Sequence, residues 1–492
     1  MAVNKTRIIR SMVSVGLGSG MTAVISIIQT AVVARNLAPE DYGLFAIPLM
    51  IMGPLGVFLG GVPLAIIQQD DVSGAQLGGM QKWLYLIGMS FYLLLLLIAA
   101  FVSAQMGEWA ILHLSILIGV GLLLSAMSLV HGVWLRRELR MEIQAKAEVK
   151  GNLCGMFTAM LLAVLGAGYW ALAYAYVMRS LVTTYFLRRE CEFRSPASGT
   201  LRQAKSMLPF GFLRAADMSL GLFTSRLDQI VVASFLGPSI LGIYSVSLNL
   251  VRRPFDLVFP MLGRVLFPVY ARLKGDAKMM QTAFDLSVFS FALIMLSIST
   301  LVAMYSKELV YLLLGKQWTG AIPLLPILVF YIAFMLMEAP VKQVAQALGK
   351  GKLLLYFNIV SSAFIGFVLF IVMGVLKLQL FWFCIILVAL RYLFYCLAFV
   401  YLVPDGAVKR SPIFVRVLLR VVVPVVGVMA FYCLNEELGV LERTLCCGLI
   451  ISVLLLCNAG YIIDNCKLVG LRSFEGLGFG LLKKSKKSNL NE

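Results

Sequence analysis

Uninterrupted apolar runs of about 20 residues, long enough to cross a ~30 Å hydrocarbon layer as a helix, recur from one end of this chain to the other. No other feature constrains the fold as much. In hydrocarbon every backbone N–H and C=O must be satisfied without water, which leaves only helices and closed barrels. A barrel would be written as short alternating segments, and that pattern is not what the sequence shows. Fourteen spans are expected. The first half holds Met12–Ala34, Leu44–Ile67, Leu84–Ala104, Ala110–Val130, Leu153–Ala167 and Tyr169–Phe186. The second holds Phe210–Leu236, Leu241–Tyr270, Leu286–Met304, Ile322–Met337, Leu354–Leu376 and Phe381–Leu402, and Ile413–Leu434 and Leu445–Ile463 close the set. With 61% hydrophobic and 13% charged residues among 492, a soluble globular class is excluded. The expected class is an all-α polytopic membrane protein.

Lysine and arginine sort by side. In this layout most fall at the N-terminus, in even-numbered loops and at the C-terminus, including Arg136, Arg137 and Arg140 in "RRELR", Arg188, Arg189 and the tail Lys483–Lys487. Five fall opposite: Arg35, Lys307, Lys316, Lys377 and Arg443. That asymmetry is the positive-inside pattern and puts both termini in the cytoplasm. The net charge of +18 is then topology signal and contact with anionic lipid, with no nucleic acid implied. The first span is too long for a secretory signal core and is expected to be retained. Nine cysteines lie mostly in apolar spans and imply no disulfide framework. His113 and His131 stand outside metal-ligand spacing, so no metal is expected. "LGKGKLLL" is no phosphate-binding loop, so neither is an ATPase.

One stretch is written twice. "VVARNLAPEDYGLF" from Val32 overlays "VVASFLGPSILGIY" from Val231 without a gap, matching Leu37 with Leu236, Pro39 with Pro238 and Gly43 with Gly242. Upstream, Thr22 aligns with Gly221, Ser26 with Ser225 and Gln29 with Asp228, one helical face in each copy. Six spans separate the copies, an even number, so both cross in the same direction. A parallel repeat follows: two six-helix lobes related by a pseudo-two-fold axis along the membrane normal. The layout is an N-lobe at 1–190, a cytoplasmic linker at 191–208, a C-lobe at 209–403, two further helices at 404–466 and a basic tail at 467–492.

Ionisable groups inside spans are functional candidates because hydrocarbon penalises them. The first half offers only Arg179, whereas the seventh and eighth spans carry Arg214, Asp217, Arg226, Asp228, Arg252, Arg253, Asp256 and Arg264. Arg214, Asp217, Gly221, Ser225 and Asp228 share one face; Ser245, Asn249, Arg252 and Asp256 share another. Arginine, permanently charged with a planar fork of donors, suits an anionic group within the membrane. The expectation is that Arg214, Arg252, Arg253, Arg264 and Arg226 make a cationic cavity, with Ser26, Gln29, Ser225 and Asn249 as its polar lining. Tyr42, Tyr244, Phe255, Phe259 and Phe267 are candidate aromatic faces for the cargo. Asp217, Asp228 and Asp256, with Asp285 and Glu338 beside them, are candidate carriers of a coupling proton or sodium ion. The structural alternative is that Arg252–Asp256 and Arg226 with a nearby Asp are neutralised pairs that lock helices together.

"ARNLAPEDYGLFA" at Ala34–Ala46, "VHGVWLRRELRME" at Val130–Glu142 and "GPSILGIYSVSLNLVRRPFDLVFPMLGRVLFPVYARL" at Gly237–Leu273 resemble signature segments of polysaccharide exporters of the MOP superfamily. The pattern is most similar to the Wzx-type flippases, particularly the colanic-acid and exopolysaccharide exporter branch. That resemblance implies a MATE-like fold and outward flipping of undecaprenyl-pyrophosphate-linked oligosaccharides across the bacterial inner membrane for exopolysaccharide, O-antigen or capsule synthesis. It implies no enzyme activity and no cofactor beyond a coupling H+ or Na+. The implied partners are the lipid-linked oligosaccharide, membrane lipids, and polymerase or glycosyltransferases. The rivals are a multidrug/cation antiporter, a lipid II flippase, and, from another class, a membrane polysaccharide polymerase or glycosyltransferase.

Overall fold

The computed structural model describes residues 25–191 and 199–402, with backbone alone over 256–265. Thr22, the expected spans at Ile413–Leu434 and Leu445–Ile463, and the basic tail lie outside the described residues. Every regular element among the described residues is helical, and nine helical stretches there are long and apolar enough to cross a membrane. This is an all-α integral membrane protein.

In chain order the helices are α1 (25–36), α2 (Pro39–Gly61), α3 (Gly74–Met106), α4 (Ala110–Ala126), α5 (Leu129–Arg137), α6 (Met141–Val164) and α7 (Tyr169–Glu190). Next comes α8 (Leu208–Thr224), and then Leu227–Arg272, which Gly237 divides into α9 (227–236) and α10 (238–272). The described part ends with α11 (Ala277–Met304), α12 (Leu325–Met337), α13 (Ala339–Ala347), α14 (Gly351–Gly374) and α15 (Leu380–Leu402). Two boundaries differ from expectation. The fifth and sixth spans are full helices, α6 and α7, joined by a turn in which Gly166 and Gly168 take positive φ. The seventh span is broken at Ser225–Arg226, where Thr224 and Ser225 turn their hydroxyls onto the carbonyls of Gly221 and Leu222 in competition with the helix's own donors.

Two compact units are distinguished. The first holds the described residues up to Val246 together with Leu309–Ala321 and Met373–Val375; the second holds Ser247–Glu308, Ile322–Val372 and the rest of the described chain.

Small residues set the packing of the first unit. Ala147, Gly151, Gly155, Ala159 and Ala163 recur every fourth position on α6, all buried, so α7 comes close enough that a Cβ on Gly155 would stand 2.9 Å from the Ala175 carbonyl oxygen. Between helices in lipid, where no hydrophobic drive exists, such close approach supplies the dispersion contacts. Gly61 meets Ala215, and Gly211 meets Val62, in the same way between α2 and α8. The polar face of α8 is thereby left outward: Arg214, Asp217, Gly221 and Ser225 are all exposed.

Loop contacts show which ends of these helices lie together. Arg137 donates to the carbonyls of Ile66 and Asp70 at 2.5 and 2.6 Å, and Trp83 Nε1 donates to Leu201 O at 3.0 Å. The second, fourth and sixth loops therefore share one end. At the other, Asp41 accepts from Tyr169 N at 3.1 Å. Gln317 donates to the carbonyls of Ala34 and Leu37, and Trp318 Nε1 reaches Ala34 O at 2.8 Å. The first, fifth and ninth loops share that end.

The duplicated stretch now has a physical reading. In both copies the residue before proline leaves the helix, Ala38 with φ −72°, ψ 156° and Gly237 with φ 79°, ψ 177°, because the proline ring disfavours α geometry there. Past that break the copies touch reciprocally. A Cβ on Gly43 would stand 1.7 Å from Pro238 O, and one on Gly242 would stand 1.8 Å from Pro39 O. The neighbouring residues build the same end: Asp41 also accepts from Ala38 N at 2.9 Å, Tyr42 meets the Trp318 ring edge-on at 5.2 Å, and Leu37 is fully buried.

In the second unit, α11, α12 and α15 bury Phe284, Phe289, Phe291, Leu328 and Tyr395, with Phe284 against Phe399 at 6.0 Å and Phe334 against Tyr392 at 5.1 Å. Within that apolar setting Glu338, 1% exposed and sitting at the α12–α13 break, pairs with Lys342 at 2.5 Å and Arg391 at 3.5 Å.

Candidate functional site

Polar side chains of the first unit converge on a cavity of about 490 Å³ between α4, α5, α6 and α7, with Val57 and Gly60 of α2 and Met218 of α8 completing its wall. It opens at the end where the second and fourth loops meet, since Arg136 and Gln144 flank the Glu138–Arg140 turn. The local sequence builds it simply. Helix α4 stops after Ala126, and the turn brings Ser128 within 3.1 Å of Thr184, whose hydroxyl donates to Leu124 O at 2.9 Å. Ser125 bonds back to Gly121 O at 2.9 Å. On α7, Tyr176, Arg179, Ser180, Thr183 and Thr184 present one face to the cavity, brought there by Gly151 and Gly155, which let the α7 backbone approach α6.

Two guanidinium groups stand in it. Arg136 Nε donates to Gln144 Oε1 at 2.9 Å, and Gln144 in turn donates to Glu148 at 2.7 Å. The single lining carboxylate is thus engaged through Gln144, not paired with an arginine. Arg179 is exposed and makes no ion pair among the described residues. Two cations against one carboxylate leave the cavity net positive. A polar, cationic, hydroxyl-rich chamber in a membrane unit fits a cargo that is both anionic and rich in hydroxyl groups, with guanidinium forks for phosphoryl oxygens and Ser, Thr and Tyr for sugars.

The arginines expected to form the site are placed as follows. Arg214 is exposed on α8 and pairs with Asp217 at 2.7 Å; Met218, one turn on, lines the cavity. Arg226 donates to Gln229 at 2.9 Å. Arg252 and Asn249 are exposed and Arg253 half-buried, all three in the second unit. The side chains of Asp256 and Arg264 lie outside the described residues. Ser26 and Gln29 are half-buried on α1, and Ser225 is exposed at the turn before α9. Asp228 is buried and accepts from Tyr244 OH at 2.6 Å. Of the aromatic candidates, Tyr42 packs on Trp318, Tyr244 and Phe255 are fully buried and Phe267 is exposed; the side chain of Phe259 lies outside the described residues.

Sequence reasoning missed the gathering of Arg136, Arg179 and the hydroxyls. Arg179 was a signal, the only Lys, Arg, Asp or Glu within the first six expected spans. Arg136 reads as topology charge until α5 folds back beside α7.

A family model described as "Polysaccharide biosynthesis protein" matches residues 32–323, which include the cavity, both copies of the repeat and the Gln317–Trp318 loop. The chain is similar to the lipopolysaccharide biosynthesis protein WzxC of Escherichia coli, 23% identical over 65% of this chain and 64% of that protein, a little under two thirds of its length. It is also similar to the succinoglycan biosynthesis transport protein ExoT of Rhizobium meliloti, 22% identical over 73% of each. Among solved structures it resembles the lipid II flippase MurJ in an inward closed conformation, with a TM-score of 0.71, 10% identity, and coverage of 91% of this chain and 99% of that one. The last likeness concerns fold alone, and it is the fold the sequence resemblance implies. With well over half its length matched by the family model, the chain belongs to the polysaccharide biosynthesis protein family.

Proposed function

We propose that this protein carries polyprenyl-pyrophosphate-linked oligosaccharide repeat units from the cytoplasmic to the outer leaflet of a bacterial inner membrane by alternating access, with both termini in the cytoplasm. The cavity lined by Arg136, Arg179 and the serine and threonine hydroxyls supports this reading. A pyrophosphate must leave water to cross a low-dielectric layer, and two guanidinium groups with a single carboxylate between them offset part of that cost. A cation antiporter would need the opposite lining. No bond is made or broken, so the protein moves its cargo without enzymatic chemistry. Arg214, Arg226, Arg252, Arg253 and Arg264 are further candidates for contact with the anionic cargo, and Asp217, Asp228 or Asp256 for carrying the coupling ion.

Complementation tests this in a host lacking its own repeat-unit flippase. Surface polysaccharide is measured together with lipid-linked units that stay inaccessible to a membrane-impermeant label. Wild type restores export. Arg179→Ala and Arg136→Ala each lower it by roughly tenfold or more, the weight of one charge-assisted contact, at unchanged membrane protein level. Full export by an Arg136→Ala/Arg179→Ala double variant refutes the assignment of this cavity, and full export by Arg252→Ala/Arg253→Ala removes those two from the path. Glycosidic bond formation by the purified protein would refute the transport reading altogether.

A further inference from the structure

A second cavity in the first unit, about 360 Å³, is lined by Arg35, Tyr311, Leu314, Gly315, Lys316 and Gln317. It lies at the end shared by the first and ninth loops, opposite the larger cavity's mouth. By the charge asymmetry of the sequence this is the outer face, where only five lysines and arginines fall; two of the five line this one cavity. No carboxylate lines it.

The loop is held firmly. Gln317 and Trp318 cap the carbonyls that end α1, so the backbone beside them is fixed. Arg35 donates one nitrogen to Leu312 O at 2.7 Å, which anchors its guanidinium and leaves its other donors unclaimed. Gly315, with φ 100°, turns the chain so that Lys316 follows directly beside Arg35, whose Cγ lies 3.5 Å from where a Gly315 Cβ would be. The Lys316 ammonium has no hydrogen-bond or ion-pair partner among the described residues. An anchored guanidinium and a free ammonium, with Tyr311 in the wall and no carboxylate, make this a cationic cavity suited to an anion.

We propose that this cavity binds the phosphate or pyrophosphate headgroup of a lipid in the outer leaflet, and that for the proposed cargo it is the first stop after crossing. The identity of that cargo rests on the reading above; the anion site itself does not. The two sources of such a headgroup, a polyprenyl pyrophosphate and an ordinary anionic phospholipid, share the chemistry.

Full-length protein in proteoliposomes is photolabelled with a diazirine-bearing short-chain polyprenyl pyrophosphate, and adducts are mapped by peptide mass spectrometry. Labelling is expected within Leu309–Ala321. Arg35→Gln/Lys316→Gln should cut it by about tenfold or more, whereas Arg35→Lys/Lys316→Arg, which keeps both charges, should retain it. Suppression by excess unlabelled pyrophosphate but not by phosphatidylglycerol identifies the cargo lipid; suppression by both identifies any anionic headgroup; each supports the site. Absent loop labelling in wild type, or labelling unchanged in the charge-removed variant, overturns it. So does a double variant that loses thermal stability yet labels normally, because the two cations would then serve only the C-terminal end of α1. Loop labelling without any adduct in residues 125–190 leaves this site standing and sinks the larger cavity's role, so the two failures are told apart.

Discussion

Alanine at Gly43 should damage the protein through the reciprocal contact between the repeats. A Cβ there would stand 1.7 Å from Pro238 O and 2.5 Å from the carbonyl carbon. Both are backbone atoms that no rotamer change can withdraw. Ordinary contact begins well beyond 3 Å, so the two segments must part by more than an ångström. Overpacking of this kind costs about 1–3 kcal/mol or more. At roughly 2–4 °C per kcal/mol for a unit of this size, the midpoint should fall by about 5 °C. Gly242→Ala should do the same, since its Cβ would stand 1.8 Å from Pro39 O. Gly221→Ala is the control: nothing lies within 4 Å of its added methyl, and alanine for glycine within a helix gains up to about 1 kcal/mol. The assay is thermal unfolding of detergent-purified protein followed by a thiol-reactive dye. The double variant should lose less than the two single losses together, because one separation relieves both clashes. If Gly43→Ala and Gly242→Ala melt within about 1 °C of wild type, or if their losses simply add, the reciprocal contact is not what holds this end together.

Other perturbations follow from the same geometry. Glu338→Gln leaves Lys342 and Arg391 facing each other in an apolar interior, and breaking a buried pair in this way costs about 3–5 kcal/mol; a large drop in thermal midpoint is expected, and wild-type stability would show that the three groups reach water. Asp41→Ala removes the acceptor shared by Ala38 N and Tyr169 N and should cost about 1–2 kcal/mol, read as faster hydrogen exchange at the start of α7. Trp318→Phe deletes one donor to Ala34 O in a fully buried site. Gln317 still donates to that carbonyl, so only the net worth of one hydrogen bond, about 0.5–1.5 kcal/mol, should be lost, and proteolysis within Leu309–Ala321 should quicken.

Much of this architecture can be read from the residues in order, and the reason is local. Span length follows from hydrocarbon thickness, and the proline-induced break at Ala38 and Gly237 from one ring's sterics. The small-residue stripe from Ala147 to Ala163 was equally legible, a period of four, but a stripe names no partner. What escaped depends on the chain returning to itself. Arg391 meets Glu338 only because α15 packs on α12, and Gln317 reaches Ala34 across 283 positions. The site divides the same way: arginine as the chemistry for an anionic cargo followed from composition inside spans, whereas the gathering of Arg136 with Arg179 depends on α5 folding back beside α7.

The Gly43–Pro238 and Gly242–Pro39 approaches are each other's image. Two identical protomers meeting on a two-fold axis touch in this manner, residue i on j and j on i; here a single polypeptide does so with itself. Away from this joint the two copies differ: Gln29 stands where its counterpart is Asp228, and Phe45 where its counterpart is Tyr244.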